Sequence, residues 1–292
     1  MIYVVMLFSA TTISFAASCK TNNKPSQEEK VNENTVQNME TNNENTQPLE
    51  TKTYNLNGVM FKMILVEGGT FTMGSNNRLK DQAPEHQVTL SSYLIGETEV
   101  TQALWKEVMG NNPSGSKRGE NYPVENVTWK ICHTFVEKLN KRMHDAGLIP
   151  ADWKFQITSE AQWEFAAKGG NQSKGFTYSG SNKLSEVGWT NKEEGRVSHL
   201  VKQKKPNELG IYDMSGNVYE WVADYYAPYT SEAQTNPLNL TKKNSQNQVI
   251  KRGGSFWYND EYRYTNTYRY AYYETVTDES IGLRIVLIPS NQ

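Results

Sequence analysis

The sequence predicts an α+β domain with much irregular backbone. Three observations carry that reading: only three stretches have the apolar spacing of a helix, the extended runs between them are short, and the chain from Asn171 to Gln292 is loop-rich with brief apolar pieces. Taken in order, Tyr54 to Val66 alternates (Tyr54, Leu56, Val59, Phe61, Met63, Leu65) and reads as one or two strands leading into the turn Glu67-Gly68-Gly69. Thr70 to Met73 is another short strand closed by Gly74, and Gln87 to Leu94 a further extended run. Glu97 to Met109 places Val100, Leu104, Trp105 and Val108 at helical spacing, with Thr98 or Thr101 as N-cap and Gly110 just past the end. Thr128 caps a second helix running to Met143, whose Ile131, Cys132, Phe135, Val136 and Leu139 share a face. A third helix is expected from Thr158, as N-cap, to the glycines at 169 and 170. Val249 to Arg252 and Ile281 to Ile288 are the clearest later apolar runs, and no repeat of fixed period occurs.

Charge narrows the function classes. The 292 residues carry 30 Lys plus Arg against 32 Asp plus Glu, which disfavours a nucleic-acid partner. Residues 20 to 52 hold four of the cations and six of the anions, so the net charge of -2 belongs to that segment alone. The segment also has eight Asn and only Val31, Val36, Met39 and Leu49 as aliphatic or sulfur side chains. It buries too little apolar surface to offset its ordering entropy and reads as a disordered tether.

Residues 2 to 17 form an uncharged apolar run, slightly short for a membrane span, and read as an export signal covering residues 1 to 18. Ala16, Ala17 and Ser18 before Cys19 resemble a bacterial lipobox, which would make Cys19 the lipid-modified anchor; an ordinary signal-peptidase site is the other reading. The expected organisation is therefore signal 1–18, lipid-anchored tether 19–53 and folded domain 54–290, exported to the bacterial cell envelope and held at a membrane through the lipid. Only Cys132 then remains in the domain, so it has no internal disulfide. Its place on an apolar helix face suits a small buried side chain, a reactive thiol being the other reading.

Seven strings occur in one order: EGGTFTMGS (67–75), ETEVTQALWKEVMG (97–110), YPVENVTW (122–129), ITSEAQWEFAAKGG (157–170), GIYDMSGNVYEW (210–221), KRGGSF (251–256) and IGLRI (281–285). Together they resemble the sulfatase-modifying factor family, the domain of formylglycine-generating enzymes, over about Phe61 to Leu287. The resemblance implies an irregular C-type-lectin-like fold with few helices, short strands and long loops. It implies a chemistry resting on two copper-binding cysteines after the RGGS string. Aligned without a gap, those positions fall on Tyr258 and Arg263, so the soft ligands that copper(I) requires are absent. Ser255 matches the family serine, and Tyr219 stands where the generating enzymes carry Trp. No catalytic residue and no copper are expected. An iron-using branch that resembles ergothioneine-type sulfoxide synthases needs clustered histidines. His133 and His144 are about 16 Å apart along one helix, and His86 and His199 lie in polar stretches, so no iron is expected either.

The resemblance also implies a structural calcium held by the side chains of Asp213 and Glu220 and the carbonyls of Gly216 and Val218. The other reading is that Asp213 caps a turn and Glu220 pairs with an arginine. Arg252, Arg269 and Arg284 match family arginines and are expected to bridge loops to core carboxylates. Between Phe256 and Tyr273 nine of 18 residues are aromatic. Alternation at 262, 264, 268, 270 and 272 puts many on one face, where they either fill the core or line a groove for a peptide or sugar; Trp257, Tyr258, Tyr262 and Arg263 are the candidate groove residues. Three functions are carried forward: a non-catalytic envelope lipoprotein that binds or scaffolds an envelope protein, peptide or glycan; an oxidoreductase of the sulfatase-maturation type with an atypical site; and a carbohydrate-binding lectin-like module.

Overall fold

A computed structural model describes residues 50–115, 119–192, 195–242 and 247–292. The expected signal, Cys19 and the tether through residue 49 lie outside the described residues. The domain begins with a hairpin, β1 (Lys52–Leu56) and β2 (Val59–Val66), turned by Asn57 and Gly58 at φ of 52° and 93°. Two consecutive positive φ values are what a tight hairpin demands, and an Asn-Gly pair supplies them at least cost. Strand β1 thus includes Lys52 and Thr53, just ahead of the expected domain start at residue 54.

The run Gln87 to Leu94 is two strands, β4 (His86–Leu90), which pairs with β3 (Gly69–Met73), and β5 (Tyr93–Gly96), which belongs to another sheet. Helix α1 (Gln102–Met109) starts at Thr101, whose side chain accepts from Leu104 N–H, and ends on left-handed Gly110. Residues 97 to 100 stay outside it because tertiary partners claim their backbone: Val100 N–H donates to Leu283 O, and its carbonyl accepts from Val124. Helix α2 (Trp129–Asp145) begins at Thr128 as expected, and Trp105 of α1 stacks on its Phe135 at 4.9 Å. After β6 (Trp153–Ile157) comes α3 (Glu160–Ala167). Its N-cap is Ser159, not Thr158, since Ser159 and Gln162 form the reciprocal capping box.

The rest of the chain holds α4 (Leu184–Val187), β7 (Tyr219–Tyr225), β8 (Gln234–Thr235), β9 (Gln248–Arg252), β10 (Arg269–Tyr273), β11 (Ile281–Leu283) and β12 (Ile285–Pro289). The expected single run from Ile281 is broken at Arg284, whose side chain turns inward. Strand order is β1-β2-β5-β12-β6 in one sheet, β10-β9-β7-β11 in a second and β3-β4-β8 in a third. Every residue of β7 is buried, because Tyr219, Trp221, Ala223 and Tyr225 face one apolar cluster and Val222 the other. That two-sided burial erased the alternation by which a strand is recognised.

Polar pairs hold these layers together. Arg252 and Arg269 are at most 2% exposed, and both reach α3. Arg269 grips Glu160 bidentately at 2.8 and 2.6 Å, while Arg252 bonds Glu160 at 3.1 Å and Glu164 at 2.5 Å. Arg284 is bidentate to Glu220, with its closest contact at 2.7 Å. All three arginines thus take the bridging role expected of them. Burial opposes the Glu164 charge, but Lys168 and Arg252 together hold its carboxyl down to about 2. Glu160→Gln leaves the buried Arg269 guanidinium with no charged partner among the described residues and Arg252 with Glu164 alone, and should cost about 3 kcal/mol in urea unfolding. A loss below about 1 kcal/mol, the range of an exposed pair, would show that Glu160 is dispensable.

Candidate functional site

Strand β9 ends in Gly253 and Gly254, both at positive φ, and a Cβ on Gly254 would lie 2.5 Å from the Tyr264 ring. Only glycine lets the chain turn this sharply against that ring. The turn buries Ser255 completely, its carbonyl accepting from the Tyr264 hydroxyl at 2.8 Å. Tyr264 also donates to the Tyr258 carbonyl, which pins the loop between them. A 3-10 turn at Glu261–Tyr264 interrupts the aromatic alternation, so Tyr262 and Tyr264 do not continue the face formed by Tyr268, Tyr270 and Tyr272.

That face lies over Lys251 of β9, which is paired with Tyr270 on β10 and Trp221 on β7. The Lys251 Nζ sits 4.2 Å from the Tyr272 ring centroid, 4.3 Å from Tyr219 and 5.2 Å from Tyr270. Beside it, the Arg263 guanidinium is 4.5 Å from the Tyr258 ring and 5.2 Å from Tyr262, and its Nη1 donates to the Tyr268 hydroxyl at 2.9 Å. Tyr219 and Tyr258 meet edge to face at 5.9 Å and join the two halves. Tyr219, Lys251 and Tyr268 form a buried floor, Tyr258, Arg263 and Tyr272 half-buried walls, and Tyr262 and Tyr270 an exposed rim.

The electrostatics of this cleft are unusual. Lys251 is 3% exposed, yet it has no ion pair among the described residues. Burial pushes its ammonium down to about 8, and three ring faces supply the partial negative charge that remains to it. Burial also drives the Tyr219 hydroxyl well above the usual phenol range. The expected groove residues Tyr258, Tyr262 and Arg263 converge here; Trp257 does not, packing instead on Phe256 and beneath the Arg196 guanidinium at 5.9 Å. The sequence does not single out Lys251, which follows Val249-Ile250 and precedes Arg252 as one of two adjacent cations.

Cys132 is fully buried on α2 in the same apolar cluster as Tyr219 and Tyr268, and burial raises its thiol well above the usual range, so it is held as a protonated core side chain. The histidines are dispersed as expected, with one correction: His86 is buried, not in a polar loop, because it opens β4 and meets the Tyr229 ring at 4.8 Å. His133 packs on Trp129, His144 bonds the Trp153 carbonyl and His199 stacks on Trp189 at 3.8 Å.

The expected calcium ligands are engaged in part. Both Glu220 oxygens accept bonds, from Arg284 Nε and Nη2 and from the Trp163 indole N–H at 2.6 Å. Asp213 accepts from Lys202 N–H through Oδ2, and its Oδ1 is buried without a hydrogen-bond partner among the described residues. A guanidinium neutralises Glu220, so a calcium ion there would compete with it. Among the described residues no three His, Cys, Asp or Glu side chains converge closely enough to hold a metal ion. Glu220 is thus paired to an arginine, and Asp213 lies in a turn at φ of 61°.

Comparisons with known proteins cover the whole folded part. The family model described as sulfatase-modifying factor enzyme 1-like domain matches residues 55–288. "Chaperone protein LppX" of Paenibacillus barcinonensis is 37% identical over 216 residues, covering 58% of this chain and 74% of that protein. The formylglycine-generating enzyme of Streptomyces coelicolor is 28% identical over 195 residues, covering 62% of this chain and 56% of the enzyme. Treponema denticola variable protein 1 superposes with a TM-score of 0.73 at 30% identity, over 83% of this chain and all of that structure.

The caged amine makes a stability prediction. Between the native value of about 8 and the ordinary lysine value of 10.5, the unfolded chain binds the proton more tightly, so stability rises with pH across that window. Lys251→Met removes the term. Its melting temperature should exceed the parent's near pH 7.5, and the difference should shrink towards about pH 9.5. A difference that does not change with pH would show that the ammonium is solvated.

Proposed function

The chain belongs to the sulfatase-modifying factor enzyme 1-like domain family, and on that footing we propose that it is a non-catalytic member, a cell-envelope lipoprotein whose cleft binds a partner and oxidises nothing. One observation carries the reading. At the two positions where the resemblance to formylglycine-generating enzymes calls for cysteine stand Tyr258 and Arg263, stacked on each other at 4.5 Å. A guanidinium on a phenol ring holds anions and flat surfaces; it cannot hold copper(I) or trap a substrate thiol. That a relative is named a chaperone protein is in keeping with a binding role.

The experiment is incubation of the purified chain with copper and a sulfatase-type cysteine peptide in air. The expected outcome is no aldehyde above background and far less than one copper per chain. Turnover would restore the oxidoreductase reading with an atypical site. The carbohydrate-binding reading is favoured by the exposed rings of Tyr262, Tyr270 and Tyr273, each at least 39% accessible beside the cleft.

Anchoring through Cys19 is the second part of the proposal, and the polar tether after it supplies the spacer that a membrane-held domain needs. Growth of a bacterial host with a fatty-acid analogue should label the chain, and Cys19→Ala should abolish the label. No label on the parent chain would return the protein to a secreted form without a lipid anchor, and equal labelling of the variant would place the lipid on another residue.

A further inference from the structure

The tyrosine cleft has an unanswered charge at its centre. Lys251 is buried with no carboxylate in pairing distance among the described residues, and Asp278 is the acidic group whose field reaches it. Arg263 brings a second cation next to it; Asp260 answers that one only at Nε, at 3.0 Å. Sequestering an ammonium among rings costs solvation that cation–π contact restores only in part. Such an arrangement is stable enough to persist and is improved by an incoming anion.

The surroundings say what carries that anion. Rings follow one another from Tyr262 to Tyr268 at 5.6 Å, to Tyr270 at 6.5 Å and to Tyr272 at 5.9 Å. Their planes are inclined by 68°, 28° and 52° in turn, so they line a curved cleft in which the exposed rings of Tyr262 and Tyr270 offer faces to the C–H side of a pyranose while phenol oxygens meet its hydroxyls. Resting on the binding reading above, we propose that this cleft takes an acidic oligosaccharide, with the carboxylate of one uronate unit entering between Tyr270 and Tyr272 to meet Lys251 and Arg263. Tyr270 is 39% exposed and Tyr272 half-buried, so these are the rings that turn aside on binding. A peptide laid along β10, the edge strand of its sheet, is the other occupant; it would be held by backbone bonds and would make no use of a buried point charge.

Trigalacturonate and its fully methyl-esterified form differ only in charge, so calorimetric titration of the purified chain with each is the test. The acid is expected to bind at least tenfold more tightly than the ester and to weaken as salt is added. Lys251→Met should lose at least tenfold in affinity, and so should Arg263→Gln, a half-buried change that covers the case in which the lysine variant fails to fold. Equal binding of acid and ester, no binding of either, unaltered binding by both variants, or comparable binding of a tetraglutamate peptide would each overturn the inference. Aldehyde formation would overturn the non-catalytic reading and leave these titrations standing, so the two failures are distinguishable.

Discussion

The fold depends on helix α3 being tied to the sheets by ions. Glu160, Gln162 and Glu164 of this eight-residue helix are all 9% exposed or less, an arrangement no isolated helix would tolerate. Arg252 and Arg269 make it tolerable, since each fills a carboxylate's lone pairs with directed N–H groups. Because those arginines sit at the end of β9 and the start of β10, the same pairs fix the strands that carry the cleft. Arg284 repeats the device between β11 and β12, reaching Glu220 on β7 and the carbonyls of Gly96 and Tyr212. Ion pairs at this depth are indifferent to small changes in packing and intolerant of a missing partner, which makes them a rigid frame for a variable surface.

On that frame, the positions where the resemblance calls for two thiols carry a phenol and a guanidinium, which changes what the cleft can hold. Two cysteines would offer a soft metal a linear or trigonal site. Tyr258 and Arg263 offer a polarizable plate and a fixed positive fork, and Lys251 deepens the positive field behind them. On the reading proposed above, the loop entered through Gly253 and Gly254 would serve a reversible contact in place of a redox one. Formylglycine-generating enzymes and a chaperone both appear among the relatives, so the family has room for either use.

Much of this was legible in the sequence, for identifiable reasons. Thr101, Thr128 and Gly110 marked helix ends correctly because caps are local chemistry. The arginine bridges were legible because Arg252, Arg269 and Arg284 each match a position where the family carries arginine. What failed was decided at long range. Residues 97 to 100 look helical, yet strands far along the chain claim their backbone. The two-sided burial of β7 hid its period, and Ser159 outcompeted Thr158 through a partner three residues on. At the candidate site, Tyr258 and Arg263 were visible by position, whereas Lys251 became meaningful only when β7 and β10 closed around it. The pairing of Glu220 was hidden similarly, since nothing local announces that Arg284 will claim it.

The order of the five-stranded sheet bears on how such a chain comes into being. Strand β12, the furthest along the chain of the described strands, lies between β5 and β6 and is paired to both. Until it is in place, the sheet has two unsatisfied inner edges and its apolar face is open. The domain therefore cannot close one piece at a time in chain order; its core is completed by β12. The sheet is a single cooperative unit whose two halves, far apart in sequence, are of no use to each other until that strand joins them.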